Sequence, residues 1–133
     1  MIKRTKEIAE ELQPGKVLII YGARQVGKTT LIQEFLSSTK LSYKMVTGDD
    51  LQVGADLSEC TMISTHNFVG DYELLVIDEA QRIQNIGLAL KLMVDAYPDR
   101  YFIATFSSSF DLASKTAESL TGRKNVVTLF HIA

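Results

Sequence analysis

Lys28, Thr29, Asp78 and Glu79 are the residues whose types and surroundings point to chemistry. Lys28 and Thr29 fall in the stretch GARQVGKTT, Gly22 to Thr30. The spacing Gly22-x4-Gly27-Lys28-Thr29 is that of a loop that wraps phosphate. Glycines let the backbone turn its N–H groups inward around an oxyanion, where a Cβ would stand in the way. A helix that starts at the loop adds the positive end of its dipole. On this reading Gly22, Ala23, Arg24, Gln25, Val26, Gly27, Lys28, Thr29 and Thr30 form the cradle. Lys28 reaches the β- and γ-phosphates, and the Thr29 hydroxyl ligates Mg²⁺.

Asp78 and Glu79 end the apolar run Leu74-Leu75-Val76-Ile77. Alone, two adjacent carboxylates are as well explained by a solvated surface. The phosphate loop earlier in the chain changes that balance, because ligands of open α/β sheets bind at the carboxyl ends of the strands. Asp78 suits Mg²⁺ through water, as an oxygen donor for a hard cation. Glu79, on the other side of the pleat, suits accepting a proton from an attacking water. Phosphoryl transfer asks mainly for positioning and charge compensation, and these residues offer both. Thr105 and Ser107 have the chemistry for a polar group beside the γ-phosphate. They equally suit a capped turn leading into a helix at Phe110.

The elements that must position these groups follow from the apolar pattern. Val17–Tyr21 is apolar throughout, the mark of a strand buried on both faces, and it feeds the loop. A helix follows from Lys28 to Leu36, with Leu31, Ile32 and Phe35 toward the sheet. Further strands are expected at Tyr43–Val46, at Leu74 to Asp78, at Tyr101–Ala104 and at Val126–Phe130. An amphipathic helix over residues 2–12 precedes the first strand and stops at Gln13-Pro14-Gly15. Asn85 to Tyr97 reads as a helix burying Ile86, Ala89, Leu90, Met93 and Tyr97, ended by Pro98. Another is expected from Phe110 to Leu120, closed by Gly122. Between Asp50 and Asp71 the pattern is weak. It suggests a helix starting near Asp56-Leu57-Ser58-Glu59, with Met62, His66 and Val69 on one face. Alternating strands and helices with short links predict an α/β fold with a parallel sheet between two helical layers.

The 133 residues make one domain, 1–133, with enough chain for one core. A formal net charge of −2 shows no basic footprint for nucleic acid. Cys60 is the only cysteine, which excludes an internal disulfide and a thiolate zinc site. His66 and His131 lie far apart and are read as structural. No apolar run approaches membrane-spanning length, and the charged N-terminal stretch is not a signal peptide. The expected home is a reducing cytoplasm.

The motifs GARQVGKTTL, LLVIDEAQRI, ATFSSSFDL and LTGR resemble, in order and spacing, the ATPase domain of a group of AAA-superfamily proteins common in bacteria and archaea. The resemblance covers nearly the whole chain. It implies a P-loop NTPase sandwich with five parallel strands in the order 5-1-4-3-2, and ATP with Mg²⁺ as its ligands. It also implies that Glu79 is the catalytic glutamate, with Lys28 beside it in the chemistry and Thr105 as the polar sensor. Arg123, in the LTGR match, would contact nucleotide, in a neighbouring subunit of a homo-oligomer if not in its own; a surface cation explains it equally well. The family has Gly where Phe106 follows the sensor threonine, so Phe106 would strain the turn if it needs positive φ, or crowd the site. The family also continues into a C-terminal region that this chain lacks, together with a helical lid, so a fragment or a short member is expected. ATP or ADP is then the partner, with neither membrane nor direct nucleic-acid contact. Slow ATP hydrolysis is the expected activity. The alternatives are a nucleotide-gated docking module and a small-molecule phosphotransferase, for which a water-activating Glu79 would be out of place.

Overall fold

Strands that are apolar at every position have two faces to bury, so helices must cover the sheet from both sides. A computed structural model describes residues 2–22, 27–107, 120 and 122–128. In chain order the elements are α1 (Ile2–Glu11), β1 (Val17–Tyr21), α2 (Lys28–Ser38), β2 (Tyr43–Thr47), α3 (Leu51–Ser58), α4 (Met62–Val69) and β3 (Leu74–Asp78). A 3-10 turn (Ala80–Arg82), α5 (Ile86–Ala96), β4 (Tyr101–Phe106) and β5 (Lys124–Thr128) complete them. The five strands form one sheet in the order β2-β3-β4-β1-β5, and every neighbouring pair is parallel. Read from the other edge, this is the expected 5-1-4-3-2.

Alternation along each strand divides the core into two. Val17, Ile19, Leu75, Ile77, Phe102, Ala104 and Phe106 face Leu57 of α3, Phe68 of α4 and Ala89, Leu90 and Met93 of α5. Leu18, Ile20, Leu74, Val76 and Ile103 face the other way, onto Ile8 of α1 and Leu31, Ile32 and Phe35 of α2. Helix α2, which carries Lys28 and Thr29, therefore shares a face with every second residue of β3 and β4. Asp78 and Thr105 follow that alternation two positions after Val76 and Ile103.

Three expectations change. The helix expected near Asp56 is two helices. The first begins at Leu51, where the Asp50 carboxylate accepts from the N–H groups of Gln52 and Val53. The second begins at Met62, capped by Thr61 in a reciprocal bond with Ser64. Cys60, with φ of 53°, makes the corner between them. The buried face of α4 is Ser64, Thr65, Phe68 and Val69, while Met62 and His66 are exposed. The fifth strand starts at Lys124 instead of Val126, pairing Val17 with Lys124. As an edge strand, β5 has a solvent side that tolerates the polar Lys124 and Asn125. The expected helix from Phe110, apart from Leu120, lies outside the described residues, as do Phe130 and His131.

Phe106 is the third change. It is the last residue of β4, paired with Tyr21, and it does not have positive φ. Its ring is fully buried on the α5 side and lies 5.6 Å from the Tyr21 ring. Phe106 does not strain the turn, and the pleat sends its side chain to the face opposite Thr105. Burial raises the Tyr21 phenol above its ordinary range.

Gly48, just past β2, sits against the end of β3. Its N–H donates to the Asp78 carbonyl at 2.7 Å. A Cβ on Gly48 would collide with the Glu79 carbonyl oxygen.

Phe106→Ala should lower stability by about 3–5 kcal/mol, as other buried Phe truncations do. A loss below ~1 kcal/mol in urea denaturation would mean that the ring is not core. Gly48→Ala should cost on the order of 1–3 kcal/mol by overpacking, and a thermal midpoint equal to the parent's would contradict the close approach to Glu79.

Candidate functional site

The loop begins where β1 ends. Gly22 donates its N–H to the Phe106 carbonyl at 3.2 Å, which pins the loop entrance to β4. At the exit Gly27 has φ 80° and ψ 30°, a left-handed conformation that favours glycine. No side chain caps α2, and the first bond of its ladder runs from Leu31 N–H to the Gly27 carbonyl. The N–H groups of Lys28, Thr29 and Thr30 are those that an α-helix cannot satisfy within itself. Together with the dipole they favour an anion at this end. Lys28 is 2% exposed, and its ammonium donates to the Gly22 carbonyl at 2.8 Å, so its charge lies across the loop. Ala23, Arg24, Gln25 and Val26 lie outside the described residues.

Two hydroxyls converge on Asp78, which is 7% exposed at the end of β3. Thr29 Oγ1 donates to Oδ2 at 2.8 Å, and Thr105 Oγ1 donates to Oδ1 at 2.5 Å. Thr29 spends its one proton on Asp78, so its lone pairs remain for a hard cation. A hydroxyl, a nearby carboxylate and phosphate oxygens are the donor set that suits Mg²⁺, which keeps much of its water and needs no all-protein cage. The residues present therefore fit the ion. The fully buried Thr105 oxygen also accepts the Glu79 N–H at 2.9 Å. A continuous chain of hydrogen bonds thus joins Glu79, Thr105, Asp78 and Thr29.

Glu79 does not continue the pleat as the sequence suggests. It adopts φ 52° and ψ 46°, turning the chain out of the sheet into the 3-10 turn. Its carboxylate then meets the end of β4, where Ser107 Oγ donates to Oε2 at 2.6 Å. Gln81 Nε2 donates to the same oxygen at 2.5 Å. Sequence reasoning gave Gln81 no role. The available signal was its place in the IDEAQ stretch, two residues beyond the glutamate.

Arg123 lies at the other end of the sheet. Its carbonyl accepts the Val17 N–H at 2.9 Å, at the start of β1, while the loop begins beyond Tyr21. Five residues at about 3.3 Å each separate the two ends. The guanidinium pairs with Asp95 of α5 at 2.7 Å, a hydrogen bond and charge contact that raise its pKa. Arg123 is therefore not part of the site in its own chain. Among the described residues, no group of three or more His, Cys, Asp or Glu is placed to hold a metal ion, and no helix is long and apolar enough to cross a membrane.

There is no match among curated proteins. Among solved structures, the chain is similar to a replication initiator DnaA bound to AMPPCP and single-stranded DNA, at 17% identity and a TM-score of 0.60. The match covers 96% of this chain and 45% of the initiator, so this chain spans less than half of that protein. At that identity the likeness is one of fold. The family model described as AAA domain matches residues 14–133, which takes in the loop, both carboxylates and all five strands. On that match, the chain belongs to the AAA domain family of P-loop proteins.

Proposed function

We propose that the chain binds ATP with Mg²⁺ and hydrolyses it, slowly when alone. The observation that carries this reading is the hydrogen-bonded chain from Thr29 through Asp78 and Thr105 to Glu79. It ties a phosphate loop to a metal-competent carboxylate and to a second carboxylate with a separate position. Lys28 and the first turn of α2 would hold the phosphates, and Thr29 and Asp78 would hold Mg²⁺, which compensates charge on the phosphates when bound. Glu79 is the group suited to accept a proton from water. The AMPPCP of the DnaA structure favours an adenine nucleotide. Its single-stranded DNA is not carried over, given the net charge of −2 here.

Slow turnover is the expectation if Arg123, at the far end of the sheet from its own loop, serves the site of a neighbouring copy and not merely as a surface cation paired with Asp95. An arginine supplied in trans is worth roughly 10³–10⁵ in rate. A second reading, a nucleotide-gated docking module with negligible hydrolysis, is favoured by the engagement of Glu79 Oε2 by two donors.

Calorimetry with ATP, ADP and GTP tests binding, and Lys28→Ala should abolish it. No heat for any nucleotide at millimolar concentration would overturn the proposal. Glu79→Gln should keep affinity and lose turnover, whereas Asp78→Asn should weaken Mg-dependent binding. Equal loss of affinity in both variants would show the carboxylates acting as one metal site. The rate per subunit should climb with protein concentration, and Arg123→Ala should erase the climb. A dilute chain turning over at the ~1–100 s⁻¹ of kinases would refute the need for a neighbour.

A further inference from the structure

The hydrogen bonds around Glu79 close a ring that the loop and metal chemistry do not require. Gln81 Nε2 donates both to Glu79 Oε2 and to Ser107 Oγ, the latter at 2.9 Å. Gln81 Oε1 accepts the Ser107 N–H at 3.2 Å, and Ser107 Oγ donates to Glu79 Oε2. A side-chain amide offers two donor protons and one acceptor oxygen at fixed angles, so it spans Ser107 from backbone to hydroxyl while a donor remains on the carboxylate. The backbone beneath is fixed as well. Glu79 N–H is held by Thr105, and its carbonyl side is packed against Gly48. The Arg82 N–H donates to that carbonyl at 3.1 Å. With the main chain held, the Glu79 carboxylate has only its own rotamers to lose, and the two donors on Oε2 select one of them.

We propose that Gln81 is a positioning residue. It joins Glu79 and Ser107 into one rigid unit, so that the end of β4 sets where the carboxylate stands. The inference rests on the hydrolysis reading above and extends it. A water-activating carboxylate must be held within hydrogen-bond reach of its water, and a misplacement of about 1 Å can cost roughly 10²-fold. Gln81 itself touches neither phosphate nor water in this role. It acts through Glu79.

The test uses the full chain and the variants Gln81→Met, Ser107→Ala, their double and Ser107→Thr. Gln81→Met keeps length and volume but removes the amide. It should lower kcat roughly 10–10²-fold while KM and calorimetric affinity for Mg-ATP stay near the parent's. Ser107→Ala should do the same, Ser107→Thr should restore most of the rate, and the double variant should be no slower than the worse single. Losses that multiply, a KM that rises with the fall in kcat, or a kcat that increases would each overturn the proposal. A second readout does not depend on turnover. In the nucleotide-free chain the Gln81 side-chain amide, identified by its absence from the ¹⁵N spectrum of Gln81→Met, should shift in both Ser107→Ala and Glu79→Gln. An unmoved amide would mean that the ring is not formed. A parent chain that binds Mg-ATP without turnover would instead sink the hydrolysis reading and the positioning role with it. A shifted amide would then still establish the ring itself.

Discussion

Asp78 is a carboxylate placed among apolar neighbours at the end of a fully buried strand. A charge in such a place is strongly unfavourable unless hydrogen bonds replace the water it has lost. Two hydroxyls do so here, one from each side: Thr105 from the neighbouring strand and Thr29 from the helix above. The requirement reaches far into the fold. β4 must lie beside β3, in a register that sets Ala104 opposite Ile77. The first turn of α2 must sit over the end of the same face. Strand order, register and helix placement all serve one buried anion, and no buried side-chain polar atom among the described residues lacks a partner.

The pleat gives the same strands a second task. One residue beyond Thr105, Phe106 enters the opposite layer and packs against Tyr21, the two rings tilted at 44°. Aromatic packing thus holds the end of β1 on one face, while Thr29, Asp78 and Thr105 meet on the α2 face. The two sets of contacts do not compete for space. A bulky residue at this position, where the resemblance implied glycine, is thus housed in the core on the α5 side.

Much of this was legible in the residues. Val17–Tyr21 and Leu74–Ile77 are apolar at every position, and nothing but a doubly covered strand suits them. The loop declared itself because few spacings of Gly, Lys and Thr serve another purpose. Strand order came only from the resemblance, since periodicity says which faces are buried and not which strands are neighbours. What stayed hidden depended on single backbone angles or on tertiary contacts. Cys60 in a left-handed conformation splits α3 from α4, and nothing about cysteine predicts that. Lys124 and Asn125 belong to β5 because an edge strand is open on one side. Gln81 needed the end of β4 to be in place before its partners could be seen, and Arg123 needed the register of β5.

Glu79 shows how local strain separates two adjacent carboxylates. Were it to continue the strand, it would leave the sheet on the α5 side, away from the loop. The left-handed conformation instead turns it out of the sheet at a cost of about 1–2 kcal/mol for an L residue. That cost is offset by bonds that only this geometry allows: the N–H to Thr105, and the carboxylate to Ser107 and Gln81. Gly48 is part of the same arrangement, since its missing Cβ leaves room for the displaced Glu79 carbonyl. Strained residues that persist because their surroundings over-determine them cluster at functional sites. Here the consequence is chemical. Asp78 stays with the sheet and its hydroxyls, Glu79 stands apart at the end of β4, and two neighbours in sequence occupy environments different enough for separate work.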